Sequence, residues 1–147
     1  MKATETAAQA LGVKLLPLAA RRSDDIMQVF TRAAGERVAG VIVFTHGFAV
    51  LNRGRIIETA ARARLPTVYG WRDFVTAGGL MSYGPNVQIM VRKAAVYVDR
   101  IIKGEQAGNL PVEQPARLEL ALNLQTAKAL GISIPPALLA RADEVIE

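Results

Sequence analysis

Three short segments carry most of the side chains that could recognise a small molecule. Residues 45–48, 69–73 and 82–86 hold the single histidine, the single tryptophan and two of the 3 tyrosines. Each segment follows an apolar run that reads as a β-strand. The carboxyl ends of parallel strands meet at one edge of a sheet, where ligands of open α/β sheets bind. The candidate site residues there are His46, Tyr69, Trp71, Arg72, Ser82, Tyr83 and Asn86.

Two interpretations of these residues remain open on pattern alone. Aromatic surfaces, hydroxyls and the free N–H groups of a helix beginning at Asn86 suit a small carboxylate with an apolar body. Alternatively, Tyr69 and Trp71 pack under a loop, Arg72 faces water, and residues 84–85 merely turn the chain.

Enzymatic chemistry finds little support. The nearest approach to a nucleophile elbow, GLMSYG at residues 79–84, lacks the G-x-S-x-G spacing. His46 would have to serve every catalytic triad, and a loop histidine is more often structural or in contact with a ligand. The chain also lacks the glycine-rich phosphate loops. We therefore expect no catalytic residues, no enzyme activity and no nucleotide cofactor.

Metal and nucleic-acid binding are also disfavoured. With 1 His and no Cys, the acidic pairs at residues 24–25 and 143–144 make no coherent metal shell, and capping of helix ends explains them. The net charge is +5, from 18 basic and 13 acidic residues. The basic residues are scattered in pairs with no run of five or six, so we expect no cofactor and no nucleic-acid partner.

Length and composition fit one compact domain. The chain has 147 residues, of which 51% are hydrophobic, enough for a core without disulfides or metals. Its apolar runs are far shorter than the roughly 18 residues of a membrane span. The first residues lack the apolar centre of a signal peptide, which predicts a cytoplasmic location if this start is the natural one.

Strands and helices alternate with short connections. This alternation predicts an α/β fold with a parallel sheet flanked by helices. The run VAGVIVFT is nearly continuously apolar and predicts a strand covered on both faces. The segment around residues 117–122 predicts a strand with one wet face. The predicted strands are 13–18, 38–45, 66–69, 80–83 and 117–122.

Capping residues mark the predicted helices. Ser23, Asn52, Asn86 and Asn123 are favourable N-caps, and Gly131 is a favourable C-cap. The first helix has no preceding strand, which suggests that residue 1 lies inside an ancestral domain. One predicted helix begins at Asn52 and directs Ile56, Ile57, Ala60 and Ala61 inward, and a short final helix begins at Pro135. The other predicted helices are 4–11, 23 to about 35, 71–77, 86–103 and 123–130.

Three stretches carry a family resemblance, namely LPTVYGWRDFVTAGGLMSYGPN, YVDRIIKGEQAGNLPVEQP and LELALNLQTAKALGISIPPALLARADEVIE. From about residue 8 to residue 147 the chain resembles the substrate-binding proteins of ABC transporters. It is most similar to the bacterial family typified by tryptophan- and tyrosine-type binding proteins with a type I periplasmic-binding fold.

The resemblance implies a periplasmic, two-lobed protein that closes around a small solute and delivers it to an ABC permease without catalysis. The matching stretches, residues 69–70, 72–74 and 82–85, imply that Tyr69 and Ser82 face the solute. Tyr83 and the amides near Asn86 would assist. Residues 45–47 depart from the acidic residue followed by proline that is common in relatives, so the solute class does not carry over.

Family members are about twice this length, which leaves two hypotheses. Residues 1–84 correspond to a partial second lobe, and residues 85–147 to a crossover helix, a strand and terminal helices that complete the fold. In the first hypothesis the chain is the solute-binding component of an ABC importer for an aromatic amino acid or small carboxylate. In the second it is a truncated, non-binding fragment that forms a homo-oligomer through the unpartnered apolar face of helix 86–103.

Overall fold

Five short strands form one sheet in the order in which they occur along the chain. The computed structural model describes residues 2–115 and 117–147. The first three strands are mutually parallel, the fourth is antiparallel to the third, and the fifth is parallel to the fourth. The strands are β1 (Val41–Val43), β2 (Thr67–Tyr69), β3 (Met81–Pro85), β4 (Leu118–Asn123) and β5 (Glu144–Ile146).

Helices connect and flank these strands, which confirms the predicted α/β class. A 3₁₀ turn, Ala107–Asn109, lies between the longest helix and β4. The short helix α3 was not expected from the sequence. The helices are α1 (Lys2–Ala10), α2 (Asp25–Gly35), α3 (Gly47–Leu51), α4 (Arg53–Arg62), α5 (Arg72–Thr76), α6 (Val87–Ile102), α7 (Leu124–Leu130) and α8 (Pro136–Leu139). Among the residues that the structure describes, no helix is both long and apolar enough to cross a membrane.

Two of the predicted N-caps are confirmed, as is the glycine C-cap of α7. The side chain of Asn86 accepts a hydrogen bond from the N–H of Ile89 at 3.1 Å, and that of Asn123 accepts one from Thr126 at 2.9 Å. Gly131 ends α7 with a φ of +73°, a conformation that glycine adopts without steric cost.

The capping roles predicted for Ser23 and Asn52 are wrong. The Ser23 hydroxyl donates to Asn52 Oδ1 at 2.6 Å, and Asn52 Nδ2 donates to the carbonyl of Phe48 at 2.9 Å. These contacts use the side-chain oxygens that would otherwise cap α2 and α4, and neither helix has a side-chain cap. The bonds instead join the start of α2 to the α3–α4 corner.

The core lies between the sheet and helices α2, α4 and α5. Tyr69 of β2 stacks on Phe74 of α5, with ring centroids 4.8 Å apart. Burial of these apolar side chains is the main stabilising contribution. Of the residues predicted to face inward from α4, Ile56 and Ala60 are buried, whereas Ile57 is half-buried and Ala61 is exposed. The other buried members of the cluster are Ile26, Phe30, Ala33, Ala49 and Leu65.

The predicted strand at residues 13–18 is absent, although all of these residues are described. A strand requires a hydrogen-bonded neighbour, and the sheet ends at β1, which pairs only with β2. The prediction for residues 38–45 is wrong in extent, because only Val41–Val43 pair. It is also wrong in burial, since Ile42 is 58% exposed at this free edge.

The carboxyl-terminal half departs from prediction in β4 and β5. Leu120, Ala121, Leu122 and Asn123 are all buried, so β4 has no wet face along this part. Helix α5 packs on it, and Asn123 Nδ2 donates to the carbonyl of Val75 in that helix at 3.4 Å. Strand β5 was not predicted, and the acidic pair 143–144 was wrongly placed at a helix end.

Helix α6 has an apolar face that the described residues leave uncovered. None of its 16 residues is buried. Tyr97 donates to the carbonyl of Pro111 at 2.7 Å, and Lys93 pairs with Glu113. The segment that follows the helix therefore contacts one polar side of α6. The exposed large apolar side chains of α6 are Ile89, Met90, Val91, Val96, Val98, Ile101 and Ile102.

Candidate functional site

A cavity of about 400 Å³ opens where β3 ends and β4 and β5 begin. Because β4 runs antiparallel to β3, the start of β4 lies beside the end of β3, with Pro85 opposite Leu118. The volume is within the range of small-molecule sites. Its walls are Arg72, Ser82, Gly84, Pro85, Asn86, Glu119, Leu120, Ala121, Asp143 and Glu144.

Close backbone contacts hold the strand ends beside this cavity. A β-carbon on Gly84 would overlap the carbonyl of Gly70, and a β-carbon on Gly70 would overlap Thr45 Oγ1. Only glycine permits such approaches. Among the described residues, Thr45 Oγ1 is a buried side-chain oxygen without a hydrogen-bond partner. The exits of β1, β2 and β3 are therefore tightly packed against one another.

Arg72 and Glu144 form a two-point ion pair in the cavity wall. Arg72 Nε donates to Glu144 Oε2, and Nη2 donates to Oε1 at 2.6 Å. The side chains are 44% and 32% exposed. The hydrogen bonds from Arg72 lower the pKa of Glu144, and the same bonds raise the pKa of Arg72. The pair joins the start of α5 to the start of β5.

The other two carboxylates of the wall have separate partners. Asn86 Nδ2 donates to both oxygens of Glu119, at 3.1 and 2.9 Å. The N–H of Leu120 donates to Asp143 Oδ2 at 2.8 Å, and Arg117 pairs with Asp143. Each acidic side chain of the cavity thus has its own donor.

The structure brings three predicted site residues together, namely Arg72, Ser82 and Asn86. Ser82 is 2% exposed, in the middle of the sheet, in register with Tyr69 on β2 and Ala121 on β4. Arg72 begins α5 and Asn86 caps α6. The loops after β2 and β3 therefore converge, as expected for the carboxyl edge of parallel strands.

The remaining predicted residues lie outside the cavity wall. Tyr69 is 2% exposed in the core, and burial raises its pKa to about 12. His46 is exposed and stacks on Phe48, with centroids 5.9 Å apart. Tyr83 is exposed, and Trp71 packs against the core. Contacts of Tyr69, Tyr83 and His46 with a solute stay predictions.

Sequence reasoning missed the acidic residues of the site. The alternating pattern of residues 117–122 places Glu119 on the solvent-facing side of the strand and gives no sign of a role in a site. Asp143 and Glu144 were noticed as a pair, yet a strand of three residues is too short to show a period. Among the described residues, no group of three or more His, Asp and Glu side chains is arranged to hold a metal ion.

Solved structures with the same fold are about twice as long as this chain. A conserved domain protein from Vibrio cholerae is 26% identical, with a TM-score of 0.89 over 98% of this chain and 48% of its own. The ABC domain in complex with L-Trp from Streptococcus pneumoniae is 19% identical, with a TM-score of 0.88 over 99% of this chain and 50% of its own.

A third neighbour matches less closely. The ligand-free, open structure of a substrate binding protein with adhesive properties from Clostridium difficile is 20% identical, with a TM-score of 0.68 over 99% of this chain and 48% of its own. No curated protein matches the sequence. The sequence model of one family, described as ABC transporter substrate binding protein, matches residues 1–146. This match spans nearly the whole chain, which therefore belongs to the family of ABC transporter substrate-binding proteins.

Proposed function

We propose that the chain is the solute-binding component of an ABC importer, and that it binds an aromatic amino acid or a small carboxylate in the cavity at the end of β3. The observation that carries this proposal is the convergence of Arg72, Ser82 and Asn86 on one cavity of about 400 Å³. A volume of this size holds one amino acid. We assign no catalytic step to it.

The donor groups of the wall favour a solute with a carboxylate. The Arg72 guanidinium presents a planar fork that matches a carboxylate at two points. Ser82 adds a hydroxyl, whereas the Asn86 amide already donates to both oxygens of Glu119, so two side chains can orient a polar head. Tyr83 is exposed on the next residue of β3, and because side chains alternate along a strand it points to the sheet face opposite Ser82. Its contact with the solute stays a prediction.

Family membership supports the remaining parts of the proposal. Membership of the ABC transporter substrate-binding family supports delivery of the solute to a permease and a periplasmic location. The neighbour in complex with L-Trp supports the tryptophan/tyrosine subtype. Because this chain spans about half of its structural neighbours, closure around a solute needs a second lobe. We propose that residues 1–84 form a partial second lobe and that residues 85–147, with the crossover helix, a strand and the terminal helices, complete the fold.

Thermal unfolding with added solutes tests the proposal. The chain is melted alone and with aromatic amino acids, branched amino acids and small carboxylates. A solute at one hundred times its dissociation constant adds about 2.7 kcal/mol, which raises the midpoint by roughly 5–10 °C in a chain of this size. The shift should disappear in Arg72→Gln and persist in Arg53→Gln, whose partner Asp73 lies outside the cavity wall. A chain whose midpoint no solute moves contradicts the proposal.

A second candidate function is self-association through α6, favoured by the exposure of its apolar face. Val98 and Val96 are 55% and 56% exposed, and their positions two residues apart place them on opposite sides of the helix. Val98 shares its face with Ile101 and Ile102. Val98→Glu should therefore convert an oligomer to a monomer in sedimentation velocity, and Val96→Glu should not. A monomeric parent chain contradicts self-association.

A further inference from the structure

We propose that Glu144 is an internal competitor for the solute, which binds the cavity by replacing the Glu144 carboxylate on Arg72. The inference rests on the proposed solute-binding function and assigns a regulation to the same site. In the solute-free protein, the Glu144 carboxylate therefore occupies the position on Arg72 that the carboxylate of the solute would take.

The geometry of the pair is the one that a bound carboxylate would adopt. Arg72 donates to Glu144 from both Nε and Nη2, one bond to each carboxylate oxygen. Side-on contact of this kind is the preferred recognition of a planar carboxylate by a guanidinium group. Both residues line the cavity, so a solute carboxylate at Arg72 would occupy the same space.

Glu144 differs from the other two carboxylates of the wall in its partners. Glu119 is held by Asn86, and Asp143 by the N–H of Leu120 and by Arg117. Neither donates or accepts a hydrogen bond with Arg72 among the described contacts. Glu144 is therefore the acidic side chain whose removal frees the guanidinium.

The ion pair is exposed enough to be exchanged. Both side chains retain roughly a third or more of their accessible surface, and pairs of this kind contribute little net stability because water competes with them. The backbone of Glu144 stays anchored, since β5 pairs with β4 at Ala121, Leu122 and Asn123. The side chain can swing aside by rotation about its own bonds while the sheet stays intact.

The competition predicts a specific gain in affinity. Glu144→Gln keeps the size of the side chain but removes the second acceptor oxygen and the charge. Carboxylate solutes should then bind about two- to fivefold more tightly, the range expected for an exposed ion pair. A solute that carries an amide in place of the carboxylate does not compete for Arg72, so its affinity should not change.

Titration calorimetry on the full chain tests this inference with two probes, 3-indolepropionate and its primary amide. The variants are Glu144→Gln, Arg72→Gln and Glu119→Gln, the last removing a charge from the same wall without freeing Arg72. Glu144→Asp is a second competitor variant, because its shorter side chain draws the carboxylate away from Arg72. The expected result is tighter binding of the acid by both Glu144 variants, loss of that binding in Arg72→Gln, and a smaller change in Glu119→Gln.

The remaining outcomes separate the two proposals. Equal dissociation constants of the acid for the parent and for Glu144→Gln overturn the competitor role but leave solute binding standing. An equal gain in Glu119→Gln also overturns it, because loss of negative charge would then suffice. If neither probe binds the parent or any Glu144 variant, both this inference and the proposed carboxylate site are contradicted.

Discussion

The Cα atom of Gly84 lies against the carbonyl of Gly70, so closely that any side chain on residue 84 would overlap this oxygen. Gly84 lies on β3 and Gly70 directly follows β2. The contact holds the ends of two strands together at the edge where the cavity opens. The overlap leaves no room for a β-carbon on residue 84, even though the φ of Gly84 is not positive.

We predict that Gly84→Ala lowers the free energy of unfolding by about 1–3 kcal/mol, because the neighbouring backbone must move to relieve the overlap. Gly54→Ala is the matched control. Gly54 lies in α4 with open space around its Cα atom, and alanine favours a helix over glycine by roughly 0.5–1 kcal/mol. Urea denaturation measures both. Equal stability of Gly84→Ala and the parent contradicts the contact.

Tyr69→Ala should lower the free energy of unfolding by about 3–5 kcal/mol, because it removes a ring stacked on Phe74 in the core. Tyr69→Phe keeps the ring and should change the stability much less. Binding of solutes by Tyr69→Phe, measured by calorimetry, tests the role that the family resemblance implies for the hydroxyl. If the folded Tyr69→Phe variant binds solutes with unchanged affinity, the hydroxyl of Tyr69 has no role in binding and the residue acts only in the core.

Acid should remove the contribution of the Arg72–Glu144 pair to stability. Hydrogen bonds from Arg72 lower the pKa of Glu144 from its ordinary value of 4.5, so the stabilisation is present above this pH. It is lost as the pH falls through the folded-state pKa. Glu144→Gln should thus be less stable than the parent at pH 7, and the difference should shrink as the pH falls below 4.5. Chemical denaturation at a series of pH values checks the trend, which a constant difference would contradict.

Asn86→Ala should cost about 1 kcal/mol of stability, because it removes the side-chain cap on the N–H of Ile89. It also releases Glu119 from its two hydrogen bonds, which adds an unpaired carboxylate to the cavity wall. Carboxylate solutes should therefore bind more weakly to this variant. Asn109→Ala, in the exposed 3₁₀ turn, is the control for both measurements. A variant as stable as the parent would contradict the capping role.

Local patterns predicted the features that depend on short-range contacts. The alternation of predicted strands and helices identified the α/β class, because each element has its own spacing of buried apolar side chains. Asn86 and Asn123 were recognised as caps because a cap acts within three residues. The convergence of Arg72, Ser82 and Asn86 followed from the rule that parallel strands end at one edge.

Long-range pairing decided what the local patterns missed. Strand β5 has three residues and exists because β4 supplies its hydrogen bonds. Residues 13–18 have the pattern of a strand, but no neighbour pairs with them. Packing against Phe74 holds the Tyr69 ring in the core, and contact of its hydroxyl with a solute stays a prediction.

By itself, the sequence determined the fold class, the capped helices and the loops that meet at the site, since residues close in the chain carry these signals. Only the tertiary structure placed Glu144 on Arg72, 72 positions away. An ion pair across this separation depends on the path of the intervening strands and helices, and no local spacing encodes it.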